Sequence, residues 1–260
     1  MLRQRTLSAL VFAPLVIAAF YFGGMAFLAF ILVVGGCCAW EYRRMVGGAG
    51  IGLKAWFIPL CMATCLAGVS GRPENLIAAL IGGCLILLAI SLNDDALSSV
   101  FGVTGLVYIG GLLGCLGLLR AQPDGSEWCF FVLFITWAND MGAYFGGRAF
   151  GKRKLAPAIS PGKSWEGALF GLGAGVVTGA CLSSCIGLAI TGGALAGALL
   201  AALAQIGDLV ESKLKRHCRV KDSGKAIPGH GGFLDRFDSL LFTGAGGLLL
   251  KGLYGLLLHT

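Results

Sequence analysis

Charge is what this chain has least of. Only 13% of its 260 residues are Asp, Glu, Lys or Arg, against 57% hydrophobic, and the mean hydropathy is +0.83. An average soluble domain carries about a quarter charged residues, so the scarcity excludes a soluble globular protein and identifies an integral membrane one. Long polar stretches are missing too, and the connections between apolar runs are too short for a second, soluble domain. Cysteine is present ten times, but no pair has CxxC spacing and nine lie in or beside apolar runs, which argues against a disulfide framework. Cys61/Cys65 and Cys181/Cys185 share helix faces at i,i+4; this reads as small-residue packing in preference to a metal site.

What is there, almost from end to end, is apolar sequence in runs of roughly 15 to 22 residues, most of them able to cross a hydrocarbon core about 30 Å thick. About nine spans are expected: Leu7 to Phe22, Gly24 to Trp40, Ala55 to Val69, Leu76 to Leu92, Val100 to Leu119, Trp128 to Gly147, Gly167 to Leu188, Thr191 to Leu209 and Leu240 to Leu258. The fold class is all-α, a single integral membrane domain over 1–260, with N-terminal helices over 1–127 and catalytic helices and loops over 128–260. The first run follows Arg3 and Arg5 like a signal peptide, but a second run begins at once, so it is read as a retained helix. With the N-terminus in the cytoplasm, 17 of the 20 basic residues fall on that side, leaving Arg72 and Arg120 outside and Lys251 within the last span; the positive-inside rule favours this orientation. Gly167, Gly171, Gly175 and Gly179 recur every four residues, a groove for a close helix neighbour, and a homodimer through it is expected.

Function begins with the carboxylates. Seven of thirteen acids (Asp140, Glu166, Asp208, Glu211, Asp222, Asp235 and Asp238) sit in or beside two polar stretches that also hold most of the basic residues. Orientation alone needs no Asp or Glu. Asp140 and Asp208 lie at the ends of apolar helices, where an ionised carboxylate needs a partner or a function, although a snorkelling helix-end acid is the alternative. In KDSGKAIPGHGGFLDRFD, Lys221 to Asp238, Asp222, Asp235 and Asp238 offer hard oxygen ligands. Lys221, Lys225 and Arg236 offer phosphate-binding cations, and Gly229, Gly231 and Gly232 allow backbone amides near an anion. Carboxylates mixed with cations point to a metal-nucleotide or metal-pyrophosphate substrate; a purely basic patch would suit lipid headgroups or nucleic acid, and no nucleic-acid partner is expected. Asp235 and Asp238 share a face at i,i+3 if the last helix begins near Leu234.

The other polar stretch, GRAFGKRKLAPAISPGKSWEG from Gly147 to Gly167, contains GKS, but Pro157 stands where a P-loop needs its first glycine and no strand precedes it. Lys163 and Ser164 are candidate phosphate contacts, and Ser160, Pro161 and Gly162 suit a tight turn.

The run SKLKRHCRVKDSGKAIPGHGGFLDRFD from Ser212 to Asp238 resembles the signature of the phosphatidate cytidylyltransferases, or CDP-diacylglycerol synthases. That signature reads S-x-hydrophobic-K-R, four residues, then K-D-x-small-x-x-hydrophobic-P-x-H-G-G-hydrophobic-x-D-R-hydrophobic-D, and every fixed position is met. The segment from Asn139 to Gly167 resembles the upstream part of the same family, with Gly162 and Ser164 where many members carry Lys and Thr. The resemblance implies CTP plus phosphatidic acid giving CDP-diacylglycerol and pyrophosphate, with Mg²⁺ and a second, monovalent cation as cofactors and membrane lipids as surroundings. It assigns Asp208, Asp222, Asp235 and Asp238 to a metal-ligand pool. Lys215, Arg216, Lys221 and Arg236 form the phosphate-binding pool, Ser212 and Ser223 add hydroxyl contacts, and Asp140 and Tyr144 line the cavity opposite Lys163 and Ser164. His230 is either a phosphate hydrogen-bond donor or a turn-structuring residue. A phosphate monoester is already anionic near neutrality, so no strong general base is required and three histidines are enough; catalysis reduces to in-line positioning and charge neutralisation. A CTP-dependent polyprenol kinase is the nearest chemical rival. A transporter would place polar groups and broken helices near the midplane, often in two related halves, and neither is evident.

Overall fold

The computed structural model describes residues 2–224, 226 and 231–258. Among them the chain is all-α apart from one small hairpin. The elements are α1 (Leu2–Phe22), α2 (Gly24–Gly48), α3 (Phe57–Val69), α4 (Pro73–Ile90), α5 (Ala96–Gly105), a π-helical turn (Leu106–Gly111), α6 (Leu112–Ala121), α7 (Gly125–Phe150), β1 (Lys154–Ala156), β2 (Ser160–Ser164), α8 (Trp165–Leu182), a 3-10 turn (Ser183–Ile186), α9 (Ile190–His217) and α10 (Leu234–Leu258). Among the described residues, six helical stretches are long and apolar enough to cross a membrane: Gly24–Gly48, Pro73–Ile90, Ala96–Ala121, Trp165–Ile186, Ile190–His217 and Leu234–Leu256. Two others are apolar but shorter, Phe12–Phe22 and Phe57–Val69. The thirteen residues of α3 rise only about 20 Å at 1.5 Å each. In α7, Asn139 and Asp140 interrupt the apolar run.

The chain divides into two compact units, residues 1–126 with 217–237, and residues 127–216 with 238–260. In the first, the helical run from α5 to α6 is packed through glycines. A Cβ at Gly105 would meet the rings of Tyr42 and Phe57, and one at Gly110 would lie 3.1 Å from Thr64 Cβ. Tyr42 stacks on Phe57 at 5.5 Å between ring centroids and donates its hydroxyl proton to the Phe101 carbonyl at 2.9 Å. Arg120 donates to the Phe20 carbonyl at 2.8 Å, satisfying a carbonyl at the end of α1 that no later helical amide can reach.

In the second unit the glycine stripe is spent within the chain. Gly167 and Gly171 pack against α7 at Ala143, Gly147 and Asn139, while Gly175 and Gly179 pack against Gly193, Gly197 and Ala201 of α9. The stripe therefore supplies close crossings between α8 and its neighbours in the sequence, and a homodimer would need a different surface. Gln205 of α9 ties three helices together, donating to Asn139 Oδ1 at 2.8 Å and to the Ala168 carbonyl at 2.9 Å. The Thr136 and Thr243 hydroxyls, 2.9 Å apart and buried, link α7 to α10. Lys251, expected alone inside the last span, holds its ammonium 5.6 Å from the centre of the Trp128 ring, a cation–π contact that offsets part of its desolvation.

The tight turn expected at Ser160 to Gly162 is instead the body of β2. The two strands pair antiparallel with Lys154 opposite Ser164 and Ala156 opposite Ser160, so the reversal falls at residues 157–159. Pro161, which has no amide to donate, is tolerated because a two-stranded ladder has only edge strands.

Candidate active site

Several helices outrun their apolar segments, and the candidate side chains stand near the ends of those segments or beyond them. α9 continues from Leu209 to His217, which places Asp208, Glu211, Ser212 and Lys215 at i, i+3, i+4 and i+7, on one face. Glu211, Ser212 and Lys215 are all buried. Lys215 and Glu211 form a close ion pair, so the ammonium assigned to phosphate binding is held by its own helix. Asp208 is gripped from two directions: Lys163 Nζ lies 2.6 Å from Oδ2 and Ser212 Oγ donates to Oδ1 at 3.2 Å. A Cβ at Gly207 would lie 2.7 Å from the Asp238 carbonyl oxygen. The missing side chain lets α10 approach α9 beside Asp208, and Asp238 accordingly interacts electrostatically with Asp208, Asp140 and Lys215. Asp238 is buried and accepts a hydrogen bond from the Ser239 amide at 2.7 Å.

Of the remaining candidates, Asp140, Tyr144 and Arg216 are exposed, Ser160 is intermediate and Ser164 is buried. Asp140 accepts from Asn139 Nδ2 at 3.1 Å. Tyr144, expected beside Asp140 in one cavity, is exposed and accepts from Arg148 at 3.2 Å. Ser164 caps α8, its hydroxyl accepting from the Gly167 amide at 3.1 Å. Ser160 opens β2 opposite Ala156. Arg216 donates Nε–H to the Ile159 carbonyl at 3.0 Å, fastening the hairpin to the end of α9.

A second group belongs to the other unit. α10 begins at Leu234, so Asp235 lies in its first turn, where a carboxylate favours the helix dipole. Asp235 Oδ2 accepts from the Ser223 amide at 2.9 Å, the Ser223 hydroxyl at 3.0 Å and the Gly232 amide at 2.8 Å. Gly231 has φ +83°, a left-handed conformation costly for any residue with a Cβ. The flanking aromatics anchor this segment edge to face, Phe233 against Phe12 at 5.6 Å and Phe237 against Phe30 at 5.8 Å. Lys221, Asp222 and Arg236 are exposed. His230, Lys225 and Gly229 lie outside the described residues.

Sequence reading missed Glu41 of α2, which is 1% exposed and whose Oε2 accepts from Ser223 Oγ and from the Leu234 amide, both at 3.0 Å. It is the only acid in the first 73 residues and lies in an apolar helix, which is the signal that could have marked it. Gln205 and Asn139, amides within apolar runs, were legible in the same way.

Among the described residues, no three His, Cys, Asp or Glu side chains are grouped to hold a metal by themselves. Mg²⁺ typically takes one or two carboxylates and fills its remaining positions with water and substrate phosphates. Asp238, which interacts with both Asp208 and Asp140, fits that requirement together with either of them as hard oxygen donors.

Helices that need a bilayer, with carboxylates and ammonium groups paired at their polar ends, define an integral membrane protein equipped to handle a charged substrate. The chain belongs to the cytidylyltransferase family, whose model matches residues 3–250. The phosphatidate cytidylyltransferase of Brucella suis biovar 1 (strain 1330) is 34% identical, covering 94% of this chain and 91% of its own. That of Pseudomonas aeruginosa is 36% identical over 92% and 93%, and that of Haemophilus influenzae 42% identical over 61% of each.

Proposed function

We propose that this enzyme transfers a cytidylyl group from CTP to phosphatidate, releasing pyrophosphate and leaving CDP-diacylglycerol in the membrane. An oxygen of the lipid phosphate attacks the α-phosphorus of CTP, and the bond from that phosphorus to the β-bridging oxygen breaks with its electrons leaving on pyrophosphate. The observation that carries this reading is the set of charged side chains at the end of α9, with Asp208 held by Lys163 and interacting with Asp238, within the span matched by the family. Lys163 supplies positive charge for anionic substrates while Lys215 stays paired with Glu211, and Asp208, Asp238 and Asp140 are the residues that would hold Mg²⁺, which when bound neutralises phosphate charge. Lys221, Asp222, Asp235 and Arg236 are a further candidate set on the Lys221–Asp238 segment, where Asp235 fixes the backbone and Asp222 and Arg236 are exposed.

The orientation that fits the basic residues is nine crossings, with α1, α3 and α7 added to the six long apolar stretches and both polar loops in the cytoplasm. CTP then arrives from water while phosphatidate keeps its acyl chains in the bilayer. The decisive experiment supplies phosphatidate and CTP labelled at either the α- or the γ-phosphate. Label from the α-position is expected in organic-extractable lipid and label from the γ-position is not; the reverse outcome would identify a lipid kinase and overturn the proposal.

A further inference from the structure

We propose that Glu41 is a positioning residue for catalysis, clamping the Lys221–Asp238 segment from the N-terminal half of the chain; the inference rests on reading that segment as part of the catalytic apparatus. Glu41 is buried to the last atom of practical consequence, 1% exposed, yet it belongs to none of the motifs that mark the chemistry. Its Oε2 takes two hydrogen bonds that come from the two arms of one loop. Ser223 Oγ, on the incoming arm, donates at 3.0 Å. The Leu234 amide, on the outgoing arm, donates at 3.0 Å. Leu234 is the first residue of α10, so its amide is one of the four that no intrahelical carbonyl can accept. Glu41 is thus a cap delivered by a different helix, with its charge at the favourable end of the dipole.

Asp235 closes the same loop from within, through the Ser223 amide, the Ser223 hydroxyl and the Gly232 amide. Two carboxylates therefore meet at one hydroxyl, which has a single proton to give; Ser223 serves Glu41 and Asp235 alternately, and each carboxylate keeps backbone amides as fixed partners. The fit leaves no slack. A Cβ at Gly224 would overlap Glu41 Oε1, and one at Gly232 would overlap both Glu41 Oε2 and Ser223 Oγ. Glu41 Oε1 faces Gly224 and has no hydrogen-bond partner among the described residues, so the carboxylate is held for its charge and reach and not to satisfy both of its oxygens. Asp222 adjoins Ser223 and Arg236 adjoins Asp235, so the clamp sets where these two exposed side chains leave the backbone. Glu41 itself touches no substrate in this scheme and acts through Ser223 and Leu234.

The test uses the full-length protein with Glu41→Gln, Ser223→Ala and the double variant. In Glu41→Gln, kcat per folded molecule should fall at least tenfold while KM for CTP changes by less than about threefold, because binding charge survives and alignment does not. Ser223→Ala, a smaller change that guards against misfolding, should show the same split, and the double variant should lose no more than the worse single one, since both break one clamp. Amide exchange over residues 221–224 and 231–236 should quicken at least tenfold in each variant. This measurement needs no turnover, so it separates the clamp from the assigned reaction: an inactive wild type would sink the reaction, whereas unchanged exchange in Glu41→Gln would sink the clamp. Losses that multiply in the double variant, or Glu41→Gln at more than half the wild-type kcat, would also overturn it.

Discussion

Exchanging the charges of Lys163 and Asp208 separates a structural ion pair from a functional one. Their atoms are 2.6 Å apart, but the side chains are 25% and 37% exposed, so water screens the pair and its net worth to folding is at most about 1 kcal/mol. That bound corresponds to about a fivefold change in the folded ratio. Lys163→Met or Asp208→Asn should therefore leave the protein monodisperse in detergent and nearly as abundant as the wild type. Turnover is a different matter. If Asp208 helps hold Mg²⁺ and Lys163 faces substrate phosphate, each single variant should lose at least a hundredfold in kcat/KM, about 2.7 kcal/mol of transition-state stabilisation. The excess over the folding bound is the functional share. The swapped protein, Lys163→Asp with Asp208→Lys, restores attraction between the two positions but puts an ammonium where a metal ligand is required. It should fold like the wild type and remain at least a hundredfold impaired in transfer of α-label from CTP to lipid. Recovery to a third or more of wild-type activity would show that the pair serves architecture alone, and the metal and phosphate roles assigned to it would be wrong.

Asp222→Asn and Asp238→Asn should each lower turnover by at least a hundredfold with yield preserved, measured as activity per folded molecule; a triple Asp222, Asp235 and Asp238 variant with normal activity would remove the carboxylates from the mechanism. Chelation by EDTA should abolish lipid labelling and added Mg²⁺ should restore it, and labelling that survives chelation would exclude the metal. Gly197→Leu should cost about 1–3 kcal/mol or more through overpacking, since a Cβ there already overlaps the Gly175 carbonyl; the readout is a lowered thermal midpoint in detergent, and an unchanged midpoint would refute the α8–α9 crossing. Tags or accessible cysteines in the Arg148 to Ser164 loop and the Ser212 to Arg236 loop should report the same, cytoplasmic face, and opposite faces would end the single-site reading.

Hydropathy is a one-dimensional signal, and what it governs was legible. Each long apolar run became a helix near its expected place, because a backbone in lipid must satisfy its polar groups internally. The start of α10 at Leu234 meets the condition under which Asp235 and Asp238 share a face, although the expected span began only at Leu240. What escaped was structure built without apolar drive. α9 runs on to His217 because polar side chains on one face find partners there, and no window of hydrophobicity records that. The hairpin escaped because strands of three and five residues, one of them SPGKS, read as a turn by composition. Glu41 escaped for a third reason: its partners Ser223 and Leu234 are 182 and 193 residues away, a separation at which one sequence carries no pairing information. Lys215 and Arg216 were read from their charge as phosphate-binding residues, and their partners in the fold were not deducible; one pairs with Glu211 and the other holds the hairpin through Ile159.

α9 shows how an apolar chain carries a charged site. Along its last turns Glu211, Ser212 and Lys215 are buried, while Ile206 and Val210 are exposed, at 47% and 41%. In water the pattern would be unstable, since it hides the groups that seek solvent and shows those that avoid it. It becomes stable when the surface around Ile206 and Val210 is covered by lipid and the inward face is polar enough to pair its own charges. Asp208 and Glu211 alternate along the helix with these exposed apolar residues, so the carboxylates stand at a depth where the outer surface is still hydrophobic. A water-soluble phosphate ester has no reason to visit that depth. In the proposed reaction a lipid phosphate is held there by its acyl chains and only the nucleotide has to be drawn in, a task for which we propose the Lys163 ammonium. Charge is thus rare overall and dense at the end of α9: placed elsewhere along the helices it would be a desolvation cost, and placed here it is balanced by partners, Lys163 for Asp208 and Glu211 for Lys215.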